Sequence, residues 1–496
     1  MPGISFFLVI LLCCLLLLYI IIGKTRPPMF PPGPSWLPLA GNSSLIKQLS
    51  ILHGGFHNAL NYLSKKYKTP ILGLKLGSDL FVVVFSKELV KQVFTKDEFQ
   101  ARPDSYFIRL RTMGSRKGIT MTDGSLWMEQ RSFAVKHLRS LGFGKSHMES
   151  LIVEELKDLL NLLTNAGSCA PLSSLLAPCV LNVLWAMTAG SRFSTDDPQL
   201  TRLLELMALR SKAFDMAGGI LSQLPFLAYI APEWSGYNLI CSLNNELKLL
   251  LEKTIMEHKD NMGDNNVRDF IDAYLKEISS SNDHSSSFSE DQLIMVCLDF
   301  FIAGSQTTSN TLAFAFLHMI QNQDVQERVY SEIKSSLGER TIPSLEDRAR
   351  LPYVEAVLAE SQRFLHVVPV AGPRRVLKDT VLGKYHIPKD TIVLLSLQSI
   401  HHDEITWEEP MEFNPDRFLK EENRKLMDEL YQFGIGKRRC LGEALAKNFI
   451  FLFFTGIMRN FHLGVENGMD SLKFDYIPGI TLSPKPYSVH VTPREK

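Results

Sequence analysis

The chain lacks several features that would place it at once. It has no surplus of either charge, 53 Lys and Arg against 53 Asp and Glu in 496 residues, so it carries no basic excess for a polyanion, and no nucleic acid is expected as a partner. Cysteine is scarce and scattered: Cys13, Cys14, Cys169, Cys179, Cys241, Cys297 and Cys440 form an odd set with no CxxC pair. That excludes a zinc module and a secreted disulfide scaffold. No fixed-period repeat is present, and beyond the N-terminus no apolar run is long and uninterrupted enough to span a bilayer. What the chain does have is apolar bulk, 45% hydrophobic residues with 30 Phe and 17 Met. Its length is roughly three times that of a ~150-residue domain, which allows one large body or up to three ordinary ones.

The first positive signal is Ile4–Ile22, 19 residues without a charge. As a helix it would measure about 28 Å, close to one hydrocarbon core. Lys24 and Arg26 follow it and no charged side chain precedes it, which places the chain after Gly23 in the cytosol. The length, the missing leading charge and the absence of an A-x-A-like site favour a retained anchor over a cleaved signal peptide. Arg26 to Pro34 holds five prolines in nine residues, a stiff spacer between membrane and body. Asn42-Ser43-Ser44 matches a glycosylation acceptor, but this topology leaves it in the cytosol and unused.

The rest reads as mainly helical with a few small sheets near the ends. Ile71–Leu76 and Leu80–Phe85 form a hairpin pattern and Thr391–Leu397 a further strand. Met148–Leu163, Pro198–Ala217, Tyr237–Asp260 and Val325–Leu337 carry apolar residues at three-and-four spacing. Ser279–Ser289 is a solvated loop. It ends in a helix start, with Ser289 as cap and Gln292 placed to reach back in a capping box. The helix predicted from Glu290 to about Gln321 is apolar on nearly every face through Leu293–Phe316. Asp299, Gln306 and the Thr307–Asn310 cluster argue for burial within protein.

The densest chemical signal is Phe433-Gly434-Ile435-Gly436-Lys437-Arg438-Arg439-Cys440-Leu441-Gly442, just ahead of a helix-like run Ala444–Phe454. The glycines let the backbone turn sharply and approach a large flat ligand. Helix-start N–H groups, with Arg438 and Arg439 nearby, are expected to stabilise a thiolate.

The pattern F-x-x-G-x-R-x-C-x-G, met by Phe433, Gly436, Arg438, Cys440 and Gly442, resembles the haem-binding loop of the cytochrome P-450 monooxygenases, and further motifs in matching order extend the resemblance along the chain. It implies the mainly α fold of that family around one long central helix, with haem b as cofactor. Cys440 would be the axial thiolate, with Phe433 beside the sulfur and Arg438 facing a propionate. Trp127 and Arg131, four residues apart on one helix face, resemble the family's W-x-x-x-R, which meets a propionate; Arg374 would add another such contact. Glu360 and Arg363, an ExxR pair, resemble with Arg417 the buried charge network that positions the thiolate loop. In Ala303-Gly304-Ser305-Gln306-Thr307-Thr308 the resemblance gives Ala303 and Gly304 the role of leaving room for O2, and Thr307 that of helping proton delivery. Gln306 departs from the pattern, which has an acid there, and a glutamine can orient water but cannot cycle a proton. Asp299, two turns earlier, reads as too distant to replace it.

Candidate substrate-facing segments by resemblance are Tyr106–Thr120, Met295–Gly304, Val367–Ala371 and Ile477–Thr481, with Phe300, Phe301, Val367, Val368 and Ile480 as walls. Lys437 and Arg439 suit a docking face for an acidic reductase domain. The expected plan is an anchor at 1–23, a Pro-rich hinge at 24–34 and a haem-thiolate body at 35–496, single-pass in the endoplasmic reticulum membrane with the body in the cytosol. NADPH electrons would arrive through a flavoprotein reductase, and a small lipophilic substrate would be hydroxylated, epoxidised or N-oxidised. The cast resembles microsomal animal enzymes with an insect flavour, which puts terpenoid hormone precursors, aromatic amino acids and xenobiotics in range. Two rival readings stay open at this point: a haem-thiolate isomerase or dehydratase acting on a peroxide without external electrons, and a non-catalytic haem-binding protein.

Overall fold

The computed structural model describes residues 25–494 except 39, 166–168, 195, 214–218, 262–266, 281–285 and 466–473, and not the side chains of 422–424. The expected anchor at 1–23, with Cys13 and Cys14, lies outside the described residues.

Five helices position the site: α1 (Gly124–Ser140), α2 (Leu172–Ala189), α3 (Glu290–Gln321), α4 (Pro352–Phe364) and α5 (Glu443–Asn460). The 32-residue α3 has the predicted bounds and crosses the body, which is why its sequence is apolar all round. It lies between α2 and α5. On the α5 side the rings of Phe316 and Phe454 stack at 5.7 Å. Phe449, Phe451, Phe453 and Phe454 are fully buried, each contributing on the order of 1.5–3 kcal/mol of burial. On the α2 side Gly304 removes the Cβ that would sit 2.8 Å from Leu184 Cδ1. Among the described residues α2 alone is long and apolar enough to cross a membrane, yet most of it is buried inside the body.

The start of α3 corrects half of one expectation. The Ser289 hydroxyl accepts the Gln292 N–H at 3.2 Å, but Gln292 does not complete a capping box. Its amide instead donates to Gly118 O at 3.2 Å and accepts the Gly118 N–H at 3.1 Å. Two buried backbone groups of a crossing loop are satisfied this way, and leaving them unpaired would cost more than leaving one helix-end N–H to water.

The expected hairpin forms β1 (Ile71–Leu76) and β2 (Asp79–Val84), turned by Gly77-Ser78 with Gly77 at φ 60°. With β3 (Val370–Arg375) and β4 (Ile392–Ser396) they make a sheet of order β1-β2-β4-β3, in which β2 and β4 run parallel and the other pairs antiparallel. Helices at Ser146–Asn165, Pro198–Ala213, Tyr237–Asp260 and Gln323–Leu337 fall where the spacing put them. Small sheets complete the C-terminal part, one of them joined by Cys169–Ala170.

The Pro-rich segment is docked on the body, not held off from it. Gly73 N–H donates to Pro32 O at 2.8 Å, Phe30 is buried, and the Arg26 guanidinium donates to the carbonyls of Pro31, Gly33 and Pro34 at 3.0–3.1 Å. Asn42 is buried too, its amide bonded to Ser35 O and to Lys75 N. In the folded body this amide is engaged and holds the segment to β1.

Candidate active site

The loop before α5 is shaped by its glycines. Gly434 and Gly436 take φ of 65° and 75°, and a Cβ on Gly436 would lie 2.6 Å from the Phe94 carbonyl oxygen. Only glycine closes this turn without strain. The chain folds back so that Cys440 N–H donates to Phe433 O at 2.9 Å. Gly442 caps α5 with nothing within 4 Å of where a Cβ would be, so this backbone stands open to the space in front of it.

That space is a cavity of about 260 Å³. Phe433, Cys440, Leu441, Gly442 and Ala446 line it from the loop and α5, and Asp299, Phe300, Ala303, Gly304, Thr307 and Thr308 from α3. Trp127 and Arg131 of α1 join Arg102 and Arg438. A second compartment shares Thr307, Thr308, Phe433 and Ala446 with the first and adds Gln362, His366, Val367 and Val368.

Arginines crowd one side. Arg438 Cζ lies 3.9 Å over the Trp127 ring, and Arg131 Cζ lies 5.7 Å from the same ring. Arg131 donates to Arg439 O, Arg438 to Gln100 O at 3.0 Å, and Arg102 to Thr120 O and Pro373 O. Arg374 is not a surface arginine: it is buried behind the wall, bonded to Gln100 Oε1 at 2.7 Å. None of these four is ion-paired among the described residues. Burial, reinforced by mutual repulsion, pushes Arg374 down to about 8 and Arg438 to about 9; burial, only partly offset by Asp123, takes Arg102 to about 10. Half-buried cations without an ion-pair partner at one end of a cavity call for an anionic ligand edge.

The surroundings of the thiol act in both directions. Burial raises the Cys440 pKa; the Gly442 N–H, Arg131 and Arg439 oppose it, and Glu443 adds to it. Arg439 is committed to Glu443, with Nη2 to Oε1 at 2.7 Å, and Arg438 is turned to Gln100. A coordinated cation would settle the balance, since a metal deprotonates its thiol ligand outright. A thiol, a glycine-opened floor and an arginine edge together fit a flat, metal-bearing, carboxylate-edged ligand such as haem.

On α3 the expectations divide. Ala303, Gly304 and Thr307 line the cavity, and the Thr307 hydroxyl donates to Ala303 O at 2.7 Å. Gly304 has a second use, the close approach to Leu184. Gln306 is not in the wall: it sits on the side of Thr307 away from Thr308, outside the lining of both compartments, and its side chain makes no hydrogen bond among the described residues. Phe300 faces the cavity, but Phe301 is fully buried and stacks on Trp185 at 5.3 Å. Ile480 packs with Phe107 in a separate cluster.

Asp299 was weighed only as a spare acid, yet it ties down a loop. Oδ2 accepts the Ile119 and Thr120 N–H groups at 2.7 and 2.9 Å, and Oδ1 accepts the Thr120 hydroxyl at 2.6 Å. Thr120 falls at the end of the expected segment Tyr106–Thr120, whereas Gln100 and Arg102 were missed altogether. No local motif marks them, and only the fold brings them to Arg438 and α3.

The expected charge network is present and fully buried. Glu360 accepts Arg363 Nε at 2.7 Å and Nη2 at 2.8 Å, Arg417 Nε at 3.1 Å and the Asn414 N–H at 2.8 Å. By contrast the supposed docking face has paired charges, Lys437 with Asp97 and Arg439 with Glu443.

Comparison with known proteins agrees with this geometry. The cytochrome P450 family profile matches residues 31–491. The chain is 43% identical over 487 residues to probable cytochrome P450 305a1 of Drosophila melanogaster, covering 96% of each. It is 37% identical to farnesoate epoxidase of Bombyx mori, again with 96% of each chain covered. Cytochrome P450 2J5 of Mus musculus is 34% identical over 96% of this chain and 93% of its own.

Proposed function

Because the chain belongs to the cytochrome P450 family, and is thus a haem-thiolate monooxygenase, we propose that Cys440 is its axial ligand and that it oxidises a small lipophilic substrate of terpenoid type. Haem, when bound, supplies the activation of O2 and the insertion of one oxygen atom. The residues of this chain do the rest. Arg102, Arg131 and Arg438, with Trp127, hold the carboxylate edge, and Arg374 supports them through Gln100. Phe433 and the glycines of its loop leave the sulfur facing the cavity. Ala303 and Gly304 keep the opposite wall low, and Thr307 offers a hydroxyl there for passing a proton. Asp299 fixes Ile119 and Thr120 as part of the substrate wall, beside Phe300. Electrons come from NADPH through a flavoprotein reductase.

The terpenoid reading is supported by the similarity to farnesoate epoxidase and by the apolar wall at Ile119, Phe300 and Val368. The body would sit on the cytosolic face of the endoplasmic reticulum, anchored by Ile4–Ile22. The observation that carries the proposal is the lone thiol at 440 facing Ala303 and Thr307 across a cavity with an unpaired arginine edge. The Cys440→Ala protein should lose the reduced carbon monoxide band of thiolate ligation, and a surviving band would overturn the assignment. Spectral binding and reductase-supported turnover across terpenoid, steroid, fatty-acid and aromatic amine compounds should find the tightest binding and product among terpenoids.

A further inference from the structure

The charge network and the thiolate loop do not touch directly in the hydrogen-bond pattern. Glu360, Arg363 and Arg417 bond to one another and to the carbonyls of His401, Glu408, Glu409, Pro410 and Glu412. The loop carrying Cys440 begins at Tyr431, a buried residue in irregular chain. Two contacts bridge the gap: Gln432 Nε2 of the loop donates to Gln362 Oε1 of α4 at 2.8 Å, and His401 reaches both the loop and Arg363 itself. His401 Nε2 accepts the Tyr431 N–H at 3.0 Å, while the His401 carbonyl accepts Arg363 Nη1 at 2.9 Å.

We infer that His401 is the positioning residue through which the buried charge network sets the register of the thiolate loop. Resting on the assignment of Cys440 as ligand, this deepens the proposed function. From Tyr431 the connection continues through the Gly434 N–H to Tyr431 O at 2.9 Å and the Cys440 N–H to Phe433 O at 2.9 Å. The imidazole is well fixed for the role. It is fully buried and stacks on the His366 ring at 4.7 Å and 12°. The accepting Nε2 requires the proton on Nδ1 and a neutral ring. Burial, with His402 and Arg363 adding repulsion, depresses its pKa to about 3, which keeps that form at any working pH. The segment His401 belongs to is pinned as well, because Trp407 Nε1 donates to Ile400 O at 3.0 Å. Partners of a metal ligand's supporting shell act by orientation, and losing one typically costs about 10–100-fold in metal affinity or activity.

The test uses the haem-loaded full chain and two substitutions. Gln at 401 can place Oε1 near the position of Nε2, whereas Phe keeps the stack and loses the acceptor. In His401→Phe the reduced carbon monoxide complex should decay from the thiolate to the thiol form about tenfold faster than in the parent, and the ferric-to-ferrous ratio at fixed potential should shift. His401→Gln should restore both towards parent values. A purely structural role would lower thermal stability in both variants while leaving decay rate and potential of the folded fraction unchanged, and that result overturns the inference. So does an equal effect of Phe and Gln. Should neither variant fold, amide hydrogen exchange on the parent decides: the Tyr431 N–H should be strongly protected although it lies outside helix and strand, and exchange at the rate of an open loop overturns the proposal. Failure of the Cys440 assignment would appear separately, as a thiolate band surviving in Cys440→Ala.

Discussion

Removing Glu360 should be the most damaging single change in the charge network, and the structure says by how much. Its carboxylate accepts four buried bonds, two from Arg363, one from Arg417 and one from the Asn414 N–H. At about 1.5–3 kcal/mol for each charged bond the gross loss would exceed 6 kcal/mol. The guanidinium groups keep their carbonyl partners, however, so the net figure should lie nearer the ~3–5 kcal/mol measured when a buried pair is broken. Against a total stability of roughly 5–15 kcal/mol that is severe. In Glu360→Ala two buried guanidinium groups face each other with no anion between them. Arg417→Ala leaves the doubly bonded Glu360–Arg363 pair neutral and should cost less, about 1–3 kcal/mol. Glu360→Gln keeps an acceptor oxygen and falls between. Urea unfolding followed in parallel by far-UV circular dichroism and the haem Soret band measures each. The reasoning is refuted if Glu360→Ala lies within about 1 kcal/mol of the parent, the size of an exposed ion pair, or if Arg417→Ala is the worse variant.

Two further outcomes follow from side chains outside that network. Burial acts to raise the Asp347 pKa, but hydrogen bonds from Arg340, the Ser344 N–H and hydroxyl, and Arg350 overcome it and hold it at about 2 against an ordinary 3.8. Since the folded pKa is depressed, the unfolded chain binds more protons as the pH falls through this window, and stability present above about 3.8 is lost towards 2; Asp347→Asn should flatten that part of a stability-versus-pH curve, and an unchanged slope would count against it. On α3, Gln306→Glu should leave the coupling of NADPH use to product within about twofold of the parent while Thr307→Ala lowers it by roughly the 10²-fold or more that a positioned proton donor is worth at its step; a large gain from the new acid would show that position 306 does reach the proton path.

Legibility in the sequence depended on how local the cause was. The bounds of Tyr237–Asp260 and Glu290–Gln321 were readable because a helix start and an apolar rhythm are set within a few residues. The loop at Cys440 was readable because its turn needs glycine at fixed offsets. Gln292 was misread because its partner, Gly118, lies 174 positions away, and a buried backbone pair outweighs a local cap. Phe300 and Phe301 could not be told apart by composition; one helical step separates a cavity wall from the Trp185 stack. Arg374 was expected at a propionate because nothing in its neighbourhood announces that Gln100 and the Phe94 ring enclose it. Arg438 and Arg439 were expected to serve the thiol; Arg439 does act on it through its charge, and only the structure shows Glu443 and Gln100 taking the hydrogen bonds of the two.

The same distinction changes what the glutamine at 306 means. Read along the chain, an acid is missing beside Thr307, and the proton route looks broken. Read in space, the α3 wall presents Asp299, Phe300, Ala303, Gly304, Thr307 and Thr308, and position 306 faces elsewhere. Asp299 is the carboxylate that does reach the cavity, yet three donors from Ile119 and Thr120 already occupy it. Its charge is therefore spent on shape. The Thr307 hydroxyl uses its proton on Ala303 O and keeps its lone pairs available. In this arrangement Thr307 can accept a hydrogen bond from a donor in the cavity, and it would pass a proton onward only by turning its own O–H away from Ala303 O, a step that calls for no acid at position 306.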